Sequence, residues 1–177
     1  DKMNSLVISL LEASLYSSGM KTLNKEEFYL NEFIKEYMKA AKPIFEEKGI
    51  NAIFLEPKKS LMVFADKSQI ERVLSNYISN ACSHAKNEKE IIVSVEDLAE
   101  KYKVSVYNSG SFIDDKDKDN IFNSFYRADK AHSRKEGRFG LGLSIVKSIM
   151  DMHKCECGFT NKENGVEFWF QIEKVKG

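Results

Sequence analysis

The chain is 177 residues long, 42% apolar and 31% charged, with 27 basic side chains set against 27 acidic ones. A chain of this size can bury roughly 68–70% of the surface its unfolded form exposes, and its make-up is that of an ordinary globular domain. The balanced charge argues against a nucleic-acid partner, which a basic excess would mark, and no apolar run approaches the ~20 residues needed to span a bilayer.

No signal peptide opens the chain, and Asp1 stands where a start methionine would. The expectation is a cytoplasmic piece of a longer protein whose membrane anchor would lie upstream. Cys82, Cys155 and Cys157 are an odd count, which fits a reducing compartment better than a disulfide framework. His153, Cys155 and Cys157 in HKCEC invite a metal reading. A closed zinc site needs four ligands, however, and no second cluster supplies the rest. The alternative is two thiols on one face of a strand, buried or half-buried.

In chain order, residues 1–19 read as the end of an amphipathic helix, with Met3, Leu6, Leu10, Leu11 and Leu15 at helical spacing before Ser17-Ser18-Gly19. It either packs on a core or forms half of a helical hairpin. A short strand is expected at 26–30, then a helix from Asn31 as N-cap to Gly49, with Pro43 inside it. Strands follow at 50–56 and 61–65 around a Pro57–Ser60 turn. Residues 66–85 are the clearest helix: Asp66 and Gln69 resemble a capping box, and Ile70, Val73, Leu74, Tyr77, Ile78, Ala81 and Cys82 make one buried face. EIIVSVED and KYKVSVYN alternate like paired strands joined near Ala99-Glu100. The charged stretch ADKAHSRKEGR predicts a mobile loop. LGLSIVKSIMDMH returns to helix, and CECGFT with VEFWFQIEK predicts a closing hairpin turning near 162–165. Strands joined by tight turns as well as helices predict an α+β two-layer sandwich, a mixed and mainly antiparallel sheet covered on one face by helices.

Three segments carry chemistry. Asn76, Asn80 and Ser83 fall at i, i+4 and i+7, on a stripe bordering the apolar face of the third helix. Carboxamide oxygens there suit Mg²⁺, which keeps waters and takes ligands from substrate phosphates; they could equally be surface residues. Gly140 and Gly142 end a loop and open a helix, where unpaired N–H groups and a partial positive charge attract phosphate; a linker with a helix cap would read the same. In VYNSGSFI, Asn108 ends a strand and Gly110 allows close approach of a ring, an arrangement that ordinary turns also use.

Taken together and in this order, the segments resemble the ATP-binding catalytic domain of sensor histidine kinases, in the wider family of gyrase, Hsp90 and mismatch-repair ATPases. NYISNACSHA resembles its N box, NSGSFI its first glycine box, IFNSFYR its F box and GRFGLGL its second glycine box. The resemblance implies that residues 1–19 are the tail of the second helix of a dimerisation hairpin and 20–177 the catalytic domain, with an ATP lid at about 128–139. It implies ATP and Mg²⁺ as cofactors, Asn80 on the metal, and Asn76 beside metal and phosphates. Ser83, His84 and Ile113 would lie near the nucleotide, Asn108 and Gly110 at the adenine, and Phe122 and Phe125 at the lid base. Tyr126 would lie near the nucleotide and Arg127 would reach the γ-phosphate, while Gly140, Leu141, Gly142 and Leu143 would cradle the phosphates and Gly137, in the lid, would also bind the nucleotide. The implied partners are the protein's own dimerisation domain in a homodimer, and a response regulator.

Departures from the family pattern are Asn108 for a common aspartate, Phe112 for a glycine, which would crowd the adenine end, Ser83 for a frequent lysine, and Arg138-Phe139 for small residues. The loss of charge predicts weak ATP binding, with a dissociation constant of about 0.1–1 mM. The family's phosphoacceptor histidine belongs to the first hairpin helix; His84, His132 and His153 do not replace it, so these residues alone should bind nucleotide without autophosphorylating. The rivals are a serine kinase of the anti-sigma type, against which the hairpin-like opening argues, and a degenerate nucleotide-binding module.

Overall fold

The structure, a computed structural model, describes residues 22–126 and 140–175, with helical positions 7, 10, 11, 14 and 15. Most of the expected hairpin tail at 1–19 and the whole expected lid at 128–139 lie outside the described residues. The elements run β1 (Glu26–Tyr29), α1 (Leu30–Lys48), β2 (Asn51–Leu55), β3 (Met62–Ala65), α2 (Lys67–His84), β4 (Glu90–Asp97), β5 (Lys101–Ser109), α3 (Gly142–His153), β6 (Cys157–Lys162) and β7 (Gly165–Glu173).

Five strands form a mixed sheet in the order β2-β4-β5-β7-β6, in which β2 and β4 pair in parallel and the other neighbours antiparallel. β1 and β3 make a separate antiparallel pair. Period-2 alternation decides which face is covered. The pairing registers line up Phe54, Val93, Val106, Phe168 and Phe159 in one row, and Val95, Val104, Phe170 and Cys157 in the next. Helices α2 and α3 pack against each other and against this face. Tyr77 of α2 is fully buried, its ring 5.5 Å from Phe168, and its hydroxyl donates to the Trp169 carbonyl at 3.1 Å.

The helices start for local reasons. Asp66 caps α2 by accepting from Gln69 N, and also accepts from Asn24 N and the Ser68 hydroxyl. The end of α1 is set by Gly49 in the left-handed region, at φ 63°. Its start differs from expectation. The helix begins at Leu30, with Tyr29 at the N-cap position and no side-chain cap. Asn31 is instead buried in the first turn and accepts from Leu61 N at 3.0 Å, because the chain entering β3 needs an acceptor there. The helix runs through Pro43.

The HKCEC segment forms no metal cluster; no group of three potential ligands exists among the described residues. Cys155 precedes β6 and only Cys157 belongs to that strand, so the two thiols do not share a strand face as expected. Burial raises both thiols, Cys157 to about 11. His153 ties the end of α3 to the start of α2: Nδ1–H donates to the Ile149 carbonyl and Nε2 accepts from Asp66 N at 3.2 Å.

That tie makes a prediction. Burial holds the His153 pKa below its usual value, reinforced by Lys25 and only partly offset by the Ile149 bond, Asp66 and Glu173. The unfolded chain therefore takes up the proton first. Stability from His153 is complete above about pH 6.5 and is lost as pH falls from there through the folded pKa. The melting temperature should drop between about pH 7 and pH 5, and His153→Gln should flatten that slope. An unchanged slope would reject this role.

Candidate functional site

α2 carries the first part of the site. Its core face is set by Ile70, Val73, Leu74, Tyr77, Ile78 and Ala81, all buried. Asn76, Asn80 and Ser83 lie half-buried along the rim of that face. Asn76 Nδ2 donates to the Arg72 carbonyl one turn back, at 2.8 Å, which leaves its Oδ1 directed elsewhere. The Ser83 hydroxyl bonds the Ser79 carbonyl in the same way. The Asn80 side chain makes no hydrogen bond among the described residues. His84 is the exposed last residue of α2.

Gly142, the first residue of α3, meets this stripe directly. A Cβ there would stand 2.8 Å from Asn76 Oδ1, so glycine lets the helix start lie against that carboxamide where it stands. No side chain caps α3 at Leu141. The first-turn N–H groups thus keep the donor capacity and partial positive charge of a helix start. Leu141 is buried and Leu143 packs on the core, so their main chain and not their side chains is what they offer. Gly140 is left-handed, at φ 71°, and its carbonyl accepts from Phe125 N at 3.0 Å. Phe125 is also left-handed, at φ 65°, with its ring exposed; Phe122 packs edge-on to Phe168. The two ends of the segment between Phe125 and Gly140 are thus joined through main chain. Tyr126 donates to the buried Asp117, a bond that raises the phenol's pKa. Arg127 and Gly137 lie outside the described residues.

The other end of α2 meets the first glycine loop. Lys86 N donates to the Ser109 carbonyl, and the Ser109 hydroxyl donates to the Lys86 carbonyl. Gly110, at φ 72°, sits so close that a Cβ would be 2.7 Å from Lys86 main-chain atoms. From Asn76 to His84 at the end of α2 is about 12 Å along the helical rise, a span an extended nucleoside triphosphate can bridge. Asn108, fully buried on β5, lies in one register row with Ile91 and Val166. Its Nδ2 donates to the Ser109 carbonyl and the Ser111 hydroxyl, and its Oδ1 is a buried acceptor with no partner among the described residues. Since a carbonyl only accepts, the Ser109 contact fixes which end of the amide is nitrogen. Phe112 is 65% exposed. Ile113 is half-buried, its main chain held by Asn161.

Ser109, Ser111, Asp117 and Asn161 were not singled out from the sequence. A serine beside a glycine loop, or an asparagine late in a strand, carries no signal until the strands are paired.

The comparisons agree with this geometry. Residues 65–176 match the family model described as histidine kinase-, DNA gyrase B-, and HSP90-like ATPase. The chain is 40% identical to the sensor protein VanSB of Enterococcus faecalis over 111 residues, 63% of this chain and 25% of that protein. It is 32% identical to the sensor histidine kinase WalK of Bacillus subtilis over 155 residues, 86% of this chain and 25% of that protein. The chain thus spans about a quarter of the length of these curated relatives. Among solved structures, the nucleotide-free catalytic domain of histidine kinase ThkA superposes with a TM-score of 0.73 at 36% identity, covering 85% of this chain and 96% of that one. ThkA in complex with the response regulator TrrA superposes with a TM-score of 0.77 at 32% identity, covering 98% of this chain and 49% of that one. A carboxamide stripe, a glycine loop and a bare helix start, in this chain order and matched over most of the chain, place it in the histidine kinase-, DNA gyrase B-, and HSP90-like ATPase family, as a sensor histidine kinase catalytic domain.

Proposed function

We propose that this chain binds ATP and Mg²⁺ and donates the γ-phosphoryl group to a histidine on an upstream helix, for relay to a response-regulator aspartate. The observation that carries the reading is the contact of Asn76 with Gly142 at the uncapped start of α3. It brings neutral oxygen ligands and main-chain N–H donors to one place. The residues fit the nucleotide. The unpartnered Asn108 Oδ1 suits the exocyclic amino group of adenine, and the α3 N–H groups suit phosphate oxygens. The carboxamide of Asn80 suits Mg²⁺, with Asn76 beside it; the ion, when bound, neutralises charge on the phosphate oxygens.

In this reading Gly140 and Gly142 leave room for the phosphates, and the α3 donors hold them in line with the acceptor. Transfer breaks the bond between the γ-phosphorus and the bridging oxygen, releases ADP, and forms a phosphorus–nitrogen bond on the acceptor imidazole. The upstream hairpin pairs two copies, the intact protein is anchored in the cell membrane, and residues 1–19 are the tail of that hairpin. The exposed Val7, Leu10, Leu11 and Leu15 fit a seam of this kind.

Titration with ATP should give a dissociation constant of about 0.1–1 mM in Mg²⁺. Asn80→Ala should weaken it about tenfold with Mg²⁺ present and far less in chelator, since the lost ligand belongs to the ion. Equal losses in both buffers would sink the metal role. With the upstream helix restored, labelled ATP should yield acid-labile, base-stable phosphate; ATP binding without label would defeat the transfer step.

A further inference from the structure

The first glycine loop is held from outside by the closing hairpin, and one side chain does most of the holding. Asn161 of β6 accepts from Ile113 N at 3.0 Å through Oδ1, and donates to the Ile113 carbonyl at 2.9 Å through Nδ2. The amide thus stands in for a neighbouring strand. It satisfies both main-chain groups of a loop residue 48 positions away, which no described strand reaches. At the loop's other end, Gly110 N donates to the Asn164 carbonyl in the hairpin turn, at 2.8 Å. The hairpin is pressed on the loop's root as well: a Cβ on Gly165 would collide with the Asn108 carbonyl and lie 2.7 Å from the Tyr107 ring.

Register explains why this asparagine is the one in position. Asn108, Val166 and Asn161 occupy one row across β5, β7 and β6. Asn161 and Asn108 therefore project to the same face, at the same end of the sheet, two strands apart. Residues 110–113 bridge between them: Ser111 holds the Asn108 amide at 2.6 Å, and Ile113 is held by Asn161.

We propose that Asn161 is a positioning residue for nucleotide binding: it fixes the first glycine loop against Asn108 and thereby sets affinity for the adenosine half of ATP, not for the phosphates. The inference rests on the reading of the site given above. Without Asn161, two half-buried main-chain groups lose their partners and the loop gains conformations that leave Asn108 unsupported. Asn161 would touch no ligand atom itself.

The test compares ATP with inorganic tripolyphosphate, which has no base, on the full chain. In Asn161→Ala, ATP affinity should fall about tenfold, while tripolyphosphate affinity stays within about twofold. Parallel loss for both ligands, or ATP affinity unchanged, would overturn the proposal. A second measurement needs no variant: exchange of the Ile113 amide in the unaltered protein should slow with ATP and not with tripolyphosphate. Equal effects of the two ligands, or none, would count against it. If the unaltered protein binds tripolyphosphate but shows no added affinity for ATP, the adenine reading itself has failed, and the inference with it.

Discussion

Tyr77→Ala is expected to cost about 3–5 kcal/mol of stability. The ring has no exposed surface and packs against Phe168 and Phe170, at 5.5 and 6.2 Å between centroids. It is the largest fully buried side chain among the described residues and joins α2 to β7 of the sheet. Removing it opens a cavity between two layers that cannot collapse without moving the helix that carries Asn76 and Asn80. A domain with about 5–15 kcal/mol in total would lose a large fraction of it. Tyr77→Phe isolates the hydroxyl, whose bond to the Trp169 carbonyl should contribute about 1 kcal/mol. Urea unfolding of both variants measures the two terms. A loss below about 1.5 kcal/mol for Tyr77→Ala would mean the layers repack around the gap.

Gly110→Ala is expected to cost about 3 kcal/mol and to remove measurable ATP binding. Two separate penalties combine. At φ 72° an alanine pays about 1–2 kcal/mol of backbone strain. Its methyl would also lie 2.7 Å from main-chain atoms of Lys86, which cannot turn aside as a flexible side chain could. Relief requires pulling the loop off the end of α2 and breaking the bonds Lys86 and Ser109 share. Asn108 would lose the partners that orient it. Calorimetric titration on folded variant protein is the check. ATP binding within about threefold of the unaltered protein would show that the loop's fit to Lys86 does not matter to the site.

Gly142→Ala makes a useful contrast. There the nearest atom is the end of the Asn76 carboxamide, a group that can swing away. The expected result is a smaller stability change with weaker Mg²⁺-dependent binding.

Much of this molecule is legible in its sequence. The α2 pattern of apolar positions pointed to a helix with one buried face, and the asparagine stripe fell at its rim because 3.6-residue periodicity fixes angles around a helix. Asp66 was legible as a cap because capping is a contact between near neighbours in sequence. Alternation in β4, β5 and β7 marked strands and told which residues face inward. The glycines before α3 marked a bare helix start.

Other features depended on distant partners. Asn31 read as a cap by type and place, yet β3 lies close enough to take its side chain, and a buried main-chain donor outranks a surface cap. Cys155 falls outside the strand because its main-chain N–H is taken by the Met150 carbonyl at the end of α3, at 3.0 Å. The Phe112 ring is exposed, which no local rule decides. The lone acceptor of Asn108 and the grip of Asn161 on Ile113 arise from register across three strands. Sequence by itself thus determined the elements, their inward faces and the motifs, since these follow from local periodicity and short-range hydrogen bonding. Only the tertiary structure decided which polar groups find partners, because burial and long-range pairing, and not residue type, set that cost.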